Sequence, residues 1–438
     1  APHGPVRMFT DEWWQIMHTM FKTATELDIE VGLFNCPGWS QSGGPWVKPS
    51  QSMRYLKTVN DTLQGPIKFN GKLPSLGQDG EDVKVLAYPL IESEALFTPV
   101  TKGKEISLKS EKPHIVRSLI LYPIKAGSAT AEIAVQQDSK WITIDKYNLD
   151  RSNPAKNVGF DPLAPFVFSL PETSGSEFRI TLSAEGFIGK AELSDIPRVE
   201  RYAEKSFMKM WQTPLPMWDA YMWRDQPTYN KANTLQKEQV RDISAFMKPD
   251  GTLVWDVPEG KWVVSRTGML PTGVECGPAP KEGLGLETDK MSKEHIRAHF
   301  DNYIGKILKR IPAKDRKTFR IIVEDSYETG GQNWTDNMLE DFKETYGYDP
   351  TPYIPALNGV VVGSPELTDR FLWDLRRLVA DQVAYKYVAG LREVSHEHGF
   401  TTWLENYGHW GFPGEFLQYG GQSDEIGGEF WSFGNLGD

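Results

Sequence analysis

Apolar residues recur along the chain in two textures. After Thr10, residues Trp13, Ile16, Met17, Met20, Phe21, Ala24 and Leu27 return at helical spacing. Thr10 is placed to cap that helix, and Asp11 and Glu12 suit its positive end. Residues 29–36 (IEVGLFNC) then read as a short buried strand, followed by a loop over 37–46 dense in turn formers. From about 55 to 270 the pattern changes to short alternating runs: 83–90, 118–124, 131–136, 141–147, 166–170, 178–184, 253–257 and 262–266. Turn residues separate them, which predicts an antiparallel, sandwich-like β-domain. The stretch 200–247, rich in Trp, Met and Lys, reads as a helical excursion.

After Gly283 the first texture returns. Ser292 caps a helix bearing Ile296, Phe300, Ile304, Ile307 and Leu308; residues 319–323 read as a strand. A helix over 333–346 ends at Gly347, and a long one over 367–398 ends at Gly399. Residues 401–404 and 426–431 complete the strands. The α/β pattern therefore lies on both sides of the β-rich part. This predicts an α/β segment over 1–58, an inserted β-domain over 59–270, and the continuation of the α/β part over 271–438. The parallel strands number about four (near 31–36, 320–325, 401–405 and 426–431), whereas a closed (β/α)8 barrel needs eight. No phosphate-binding glycine fingerprint follows the first strand, which argues against a dinucleotide fold.

Composition narrows the function. With 438 residues the chain exceeds a single compact core. A net charge of −11 without a basic patch disfavours nucleic-acid partners. No apolar run approaches membrane-span length. Cys36 and Cys276 are too few for a disulfide framework or a cysteine zinc site. Many of the 15 Trp stand beside Gly, Pro, Asn or Glu, as binding-loop aromatics do.

Reactive groups in α/β barrels come from the C-terminal ends of strands. The first predicted end offers Asn35, Trp39 and Trp46. The second offers Asp325, Ser326, Tyr327, Glu328 and Asn333. The third offers Glu405, Asn406 and His409, and the fourth Asp424, Glu425, Glu429 and Trp431. Aromatic faces with amides and carboxylates make the composition of a carbohydrate site, where a carboxyl pair does acid–base work. Glu328, in a Gly-rich loop just past the strand, is the best acid candidate, with Asp325 beside it. Glu324, inside the strand, reads as structural. Glu287 and Asp289 read as charge complements to the following helix. There is no G-x-S-x-G elbow and no H-E-x-x-H, and no His pairs obviously with Cys36.

Three blocks carry a resemblance: NCPGWSQSGGPWVKPSQSM (35–53), DSYETGGQNWT (325–335) and WLENYGHWGFPGEFLQYGGQSDEIGGEFW (403–431). They resemble glycoside hydrolase family 106, the α-L-rhamnosidases. The resemblance implies a (β/α)8 barrel that removes terminal α-L-rhamnose with inversion, assisted by calcium. It carries the acid to Glu328 in the DSYE motif. It places the partner glutamate on a strand beyond GEFW, past Asp438, and two barrel strands before Ala1. It leaves Glu405, Glu425 and Glu429 as calcium or sugar ligands, calcium being a hard cation that takes carboxylate oxygens. Asn35, Trp39, Trp46, Asn333, Asn406, His409, Asp424 and Trp431 are then the expected sugar contacts. The expected partner is an oligo- or polysaccharide containing α-L-rhamnose. Export to the periplasm or outside the cell is the expected localisation. A glycosidase of other sugar specificity and a non-catalytic carbohydrate-binding piece are the alternatives.

Overall fold

The computed structural model describes residues 4–210, 228–408 and 412–428. Strands run in chain order as β1 Val31–Phe34, β2 Arg54–Lys72, β3 Glu81–Pro89, β4 Thr98–Lys102, β5 Glu105–Pro123, β6 Ser128–Gln137, β7 Lys140–Asp150, β8 Phe166–Leu182, β9 Ile188–Ser194, β10 Arg241–Asp242, β11 Thr252–Pro271, β12 Phe319–Glu324, β13 Thr401–Glu405 and β14 Glu425–Gly427. The chain divides into two compact units. One comprises residues 4–55, 270–336 and 377–428, the other 56–269 and 337–376.

The first unit is built on a parallel sheet in the order β1-β12-β13-β14. Its strands are short; β12 and β13 alternate buried with more exposed positions, while β1, expected to be buried, and β14 have no fully buried residue. Phe34 pairs with Val323, Val323 with Trp403, and Trp403 with Glu425. That register brings the C-terminal ends of β1, β12 and β13 level. The helix Asp11–Glu26 starts where Thr10 accepts a bond from the Trp13 amide, and its Phe21 packs on Phe319 of β12 with ring centroids 5.0 Å apart. The helix Lys293–Asn302 is capped by Ser292, whose hydroxyl accepts from His295 N at 3.3 Å. The predicted long helix runs over Pro365–Gln382 and Ala389–Glu397, joined by a π-helical stretch, Val383–Val388, and only its part from residue 377 belongs to this unit. Gly399, at φ 78°, supplies the left-handed residue that stops it.

Two predicted elements differ in extent. The helix expected from 333 begins at Met338, because the Trp334 amide bonds to Arg54 O and Thr335 is tied to Asp289. The last strand covers Glu425–Gly427, and residues 429–431 lie outside the described residues. Of the expected helical excursion, one turn forms at Tyr202–Lys205, and residues 211–227 are outside the described residues.

The second unit is antiparallel. One sheet has the order β10-β3-β11-β2; the other has β4-β5-β8-β6-β7 with β9 on β5. Each carries its own core. Leu119, Phe168, Phe178 and Ile180 fill the larger one, and Leu253, Trp255, Val257 and Trp262 the smaller. The β-rich part thus holds two hydrophobic cores, one with each sheet. Runs predicted as separate strands, 166–170 with 178–184 and 253–257 with 262–266, merge into β8 and β11. Turn residues such as Pro258 and Gly260 bend a long strand there without ending it. No helix among the described residues is long and apolar enough to cross a membrane.

Candidate active site

The loop after β12 sorts its side chains by one buried anchor. Tyr327 is fully buried; its amide donates to Tyr407 O at 2.9 Å and its hydroxyl to Gly330 O at 2.9 Å. With Tyr327 turned inward, Ser326 and Glu328 stay half-buried at the rim, and the Ser326 hydroxyl donates to Glu328 Oε1 at 3.4 Å. Asp325 caps the turn by accepting from Ser326 N at 3.0 Å. Its backbone carbonyl accepts from Gln41 Nε2 at 3.1 Å, which ties the β12 end to the loop after β1.

Beneath this rim lies a buried polar network. Asn35, just past β1, donates to Gln41 O at 3.1 Å and to the Ser42 hydroxyl. The Ser42 hydroxyl shares a hydrogen bond of 2.6 Å with Tyr387, in the π-helical stretch. Such widenings of a helix often sit at functional sites. Gln41 also donates to the Tyr419 hydroxyl. Lys290, fully buried, donates to Glu287 Oε2 at 2.6 Å, and the Ser40 hydroxyl donates to Glu287 Oε1. Glu287 is thus a buried ion-pair partner, not only a helix complement.

Glu324 ends β12 inside this shell. It is 1% exposed, and neither carboxyl oxygen has a hydrogen-bond partner of ordinary geometry. Burial pushes its carboxyl up to about 8, against the weaker pull of Lys290 and Tyr387. At neutral pH Glu324 is a neutral acid. The strand pattern correctly predicts its burial, but gives no sign of this chemistry. Buried acceptors without donors gather around the same strand ends: Asn35 Oδ1, Gln41 Oε1 and Asn406 Oδ1. Gly420 packs against Asn406 so closely that an added Cβ would lie 2.7 Å from its Nδ2.

Asp289 is equally buried and oppositely treated. It accepts from Arg54 Nη2 at 3.1 Å, Thr335 Oγ1 at 2.7 Å, Met291 N at 2.8 Å and Gln332 Nε2. Burial raises its carboxyl, but His295, Arg54 and Gln332 outweigh that and hold it below the ordinary range. Its reading as a helix complement is therefore corrected: it is a structural hub.

His299 is a further buried group missed by motif reading. Burial lowers its imidazole to about 4. The Trp46 indole donates to Nδ1 at 3.1 Å, so the neutral ring carries its proton on Nε2, which donates to Asn35 O at 2.7 Å. Trp46 stacks on Tyr303 at 5.5 Å and 12°. It therefore helps to hold Asn35 in place from behind, through His299.

The other predicted residues are placed as follows. Trp39 is 63% exposed, and Asn333 is fully buried. Glu405 and Asn406 lie half-buried at the β13 end. Asp424 is not at a C-terminal strand end. It precedes β14 and accepts from Arg392 Nε at 2.7 Å, His396 Nε2 at 2.8 Å and Thr402 N at 2.8 Å. Those bonds overcome burial and lower its carboxyl, so Asp424 joins helix to sheet. Glu425 is exposed at the start of β14. His409, Glu429 and Trp431 lie outside the described residues. Among the described residues no group of three or more His, Cys, Asp or Glu side chains could hold a metal ion. Of the three carboxylates expected to bind calcium, Glu405 and Glu425 lie among the described residues and Glu429 does not. Cys36 is buried, and burial with the nearby Glu287 drives its thiol far above the nucleophilic range.

Residues 2–438 match the family model of glycoside hydrolase family 106, described as alpha-L-rhamnosidase. A structure titled as a rhamnosidase from Novosphingobium sp. PP1Y superposes with a TM-score of 0.80 and 26% identity, over 97% of this chain and 43% of that one. A protein of Formosa agariphila described as a putative beta-glucuronidase is 28% identical over 99% of this chain and 28% of its own length. The chain thus spans less than half the length of these relatives.

Proposed function

The chain belongs to glycoside hydrolase family 106, and from that premise we propose that it carries catalytic machinery for hydrolysing terminal α-L-rhamnosides. The observation that carries this reading is the position of Glu328. With Asp325, it is one of two half-buried carboxylates just past β12, and the inward turn of Tyr327 leaves it at the rim. A general acid needs this setting, partly desolvated yet within reach of a substrate oxygen. We read the sequentially ordered parallel sheet as an arc of a (β/α)8 barrel, whose reactive groups stand at C-terminal strand ends. Glu328 protonates the departing glycosidic oxygen, and Asp325 orients the turn through the Ser326 amide. Inversion requires a second carboxylate roughly 6.5–9.5 Å away to activate water.

The test is hydrolysis of an aryl α-L-rhamnoside by the protein. Glu328→Gln is expected to lower kcat by about 10²–10⁴-fold on a substrate with a poor leaving group. Unchanged turnover would remove Glu328 from the acid role. NMR of the first product formed should show β-L-rhamnose; α-L-rhamnose would exclude inversion.

A second reading, a glycosidase of another sugar specificity on the same scaffold, draws on the description of the Formosa agariphila relative. A panel of aryl glycosides that includes a β-glucuronide separates the two.

A further inference from the structure

In the β-rich unit one cation stands apart. Among the described buried or half-buried arginines, Arg198 has neither a hydrogen bond nor an ion pair, and its Nε is buried without a partner. The comparable Arg117 and Arg151 are paired with Glu172 and Glu204 at 3.0 and 2.9 Å. Carboxylates nearby in sequence are already engaged. Asp195 accepts from Ser93 Oγ at 2.5 Å and Glu94 N at 3.3 Å, and Glu192 accepts from the Tyr122 hydroxyl at 3.0 Å and pairs with Lys190. The groups that sense the Arg198 charge are phenols. Burial raises the Tyr88 hydroxyl to about 12, while Ser265 and Arg198 pull it down; Tyr122 and Tyr202 are pulled the same way by Arg198. A phenol at neutral pH does not neutralise a guanidinium.

Arg198 also lines two cavities. One, of about 270 Å³, combines it with Asn60, Thr62, Asn233 and Tyr88 against apolar Val263. The other, of about 390 Å³, shares Ile91, Ile196 and Arg198 with the first. Each approaches the size of a small-ligand pocket. Amide and hydroxyl side chains beside apolar walls suit the hydroxyls and C–H faces of a sugar. An unpaired guanidinium offers a bidentate fork to a carboxylate. A half-buried charge without a partner costs stability, and a ligand anion would offset that cost.

We propose that the Arg198 cleft binds a carboxylate-bearing sugar, a uronic acid unit of the glycan. This rests on the glycosidase reading for the sugar class, while the requirement for an anion rests on Arg198 alone.

The test is calorimetric binding of digalacturonic acid and of its dimethyl ester to the chain and to Arg198→Gln. The acid is expected to bind at least about tenfold more tightly than the ester, and Arg198→Gln should bring the two together. Arg198→Lys should retain part of the preference, and the melting temperature of Arg198→Gln should not fall below that of the parent, because no hydrogen bond is lost and an unpaired charge is removed. Equal binding of acid and ester, or an unchanged preference in Arg198→Gln, would overturn the proposal. Inorganic phosphate that displaces the acid at equal concentration would overturn the sugar class, leaving a bare anion site. Hydrolysis of the aryl α-L-rhamnoside, read separately, should be the same in Arg198→Gln. Its absence from the parent would defeat the glycosidase reading without touching the binding result.

Discussion

Asp289 and Glu324 are both buried carboxyls in the α/β unit, yet their surroundings set them to opposite charge states. Asp289 meets Arg54, Thr335, Gln332 and the Met291 amide, and is held ionised. Glu324 has only the weaker pull of Lys290 and Tyr387 to set against burial, which pushes its carboxyl up to about 8. Burial alone therefore does not decide the state of a buried acid. The number of donors supplied by other segments does. The satisfied site is a joint in the fold: it binds residue 54 to residues 289–295 and 332–336. The unsatisfied site lies under the strand ends where chemistry is proposed, and retains a proton at neutral pH.

The comparison can be broken at the joint first. Asp289→Ala removes the partner of a buried guanidinium and is expected to cost about 3–5 kcal/mol in chemical denaturation. A loss below about 1 kcal/mol would mean that Asp336, on the other Arg54 nitrogen at 2.7 Å, is the real counter-ion.

Glu324→Gln should act differently, replacing a neutral acid by a neutral amide of the same shape. The raised carboxyl, from 4.5 to about 8, means that its contribution to stability is complete below pH 4.5 and is lost as pH rises through about 8. The lowered imidazole of His299, from 6.5 to about 4, has the reverse sign: its contribution is complete above pH 6.5 and is lost as pH falls toward about 4. Melting temperatures measured across pH should therefore fall less on the alkaline side in Glu324→Gln than in the parent, with the acid side unchanged. Identical alkaline limbs would show Glu324 ionised after all.

The smallest effect is expected at Ser292, which caps the helix that brings His295 to Asp289. Ser292→Ala should cost about 1 kcal/mol. A cost as large as that of Asp289→Ala would tie the joint to the helix start more than to its ion pair.

Local signals made much of the fold legible. Thr10, Ser292, Gly347 and Gly399 mark helix ends where the structure has them, because capping depends on the few residues at the terminus. The short apolar runs at 31–36 and 401–404 likewise match parallel strands. Errors arose where distant partners intervened. Asp424, expected at a strand end, is tied to Arg392, His396 and Thr402 instead. Residues 333–337 leave the helical pattern because their bonding groups serve Arg54 and Asp289.

The sequence by itself determined the alternation of α/β and β-rich segments, the strand burial of Glu324, and the DSYE turn that carries Glu328. Those follow from periodicity and turn chemistry, which act over a few residues. Only the tertiary structure decided which buried acid is charged, which arginine lacks a partner, and which strand-end residues meet. A hydrogen bond between residues hundreds of positions apart leaves no local pattern, and its presence or absence sets the charge of a buried group.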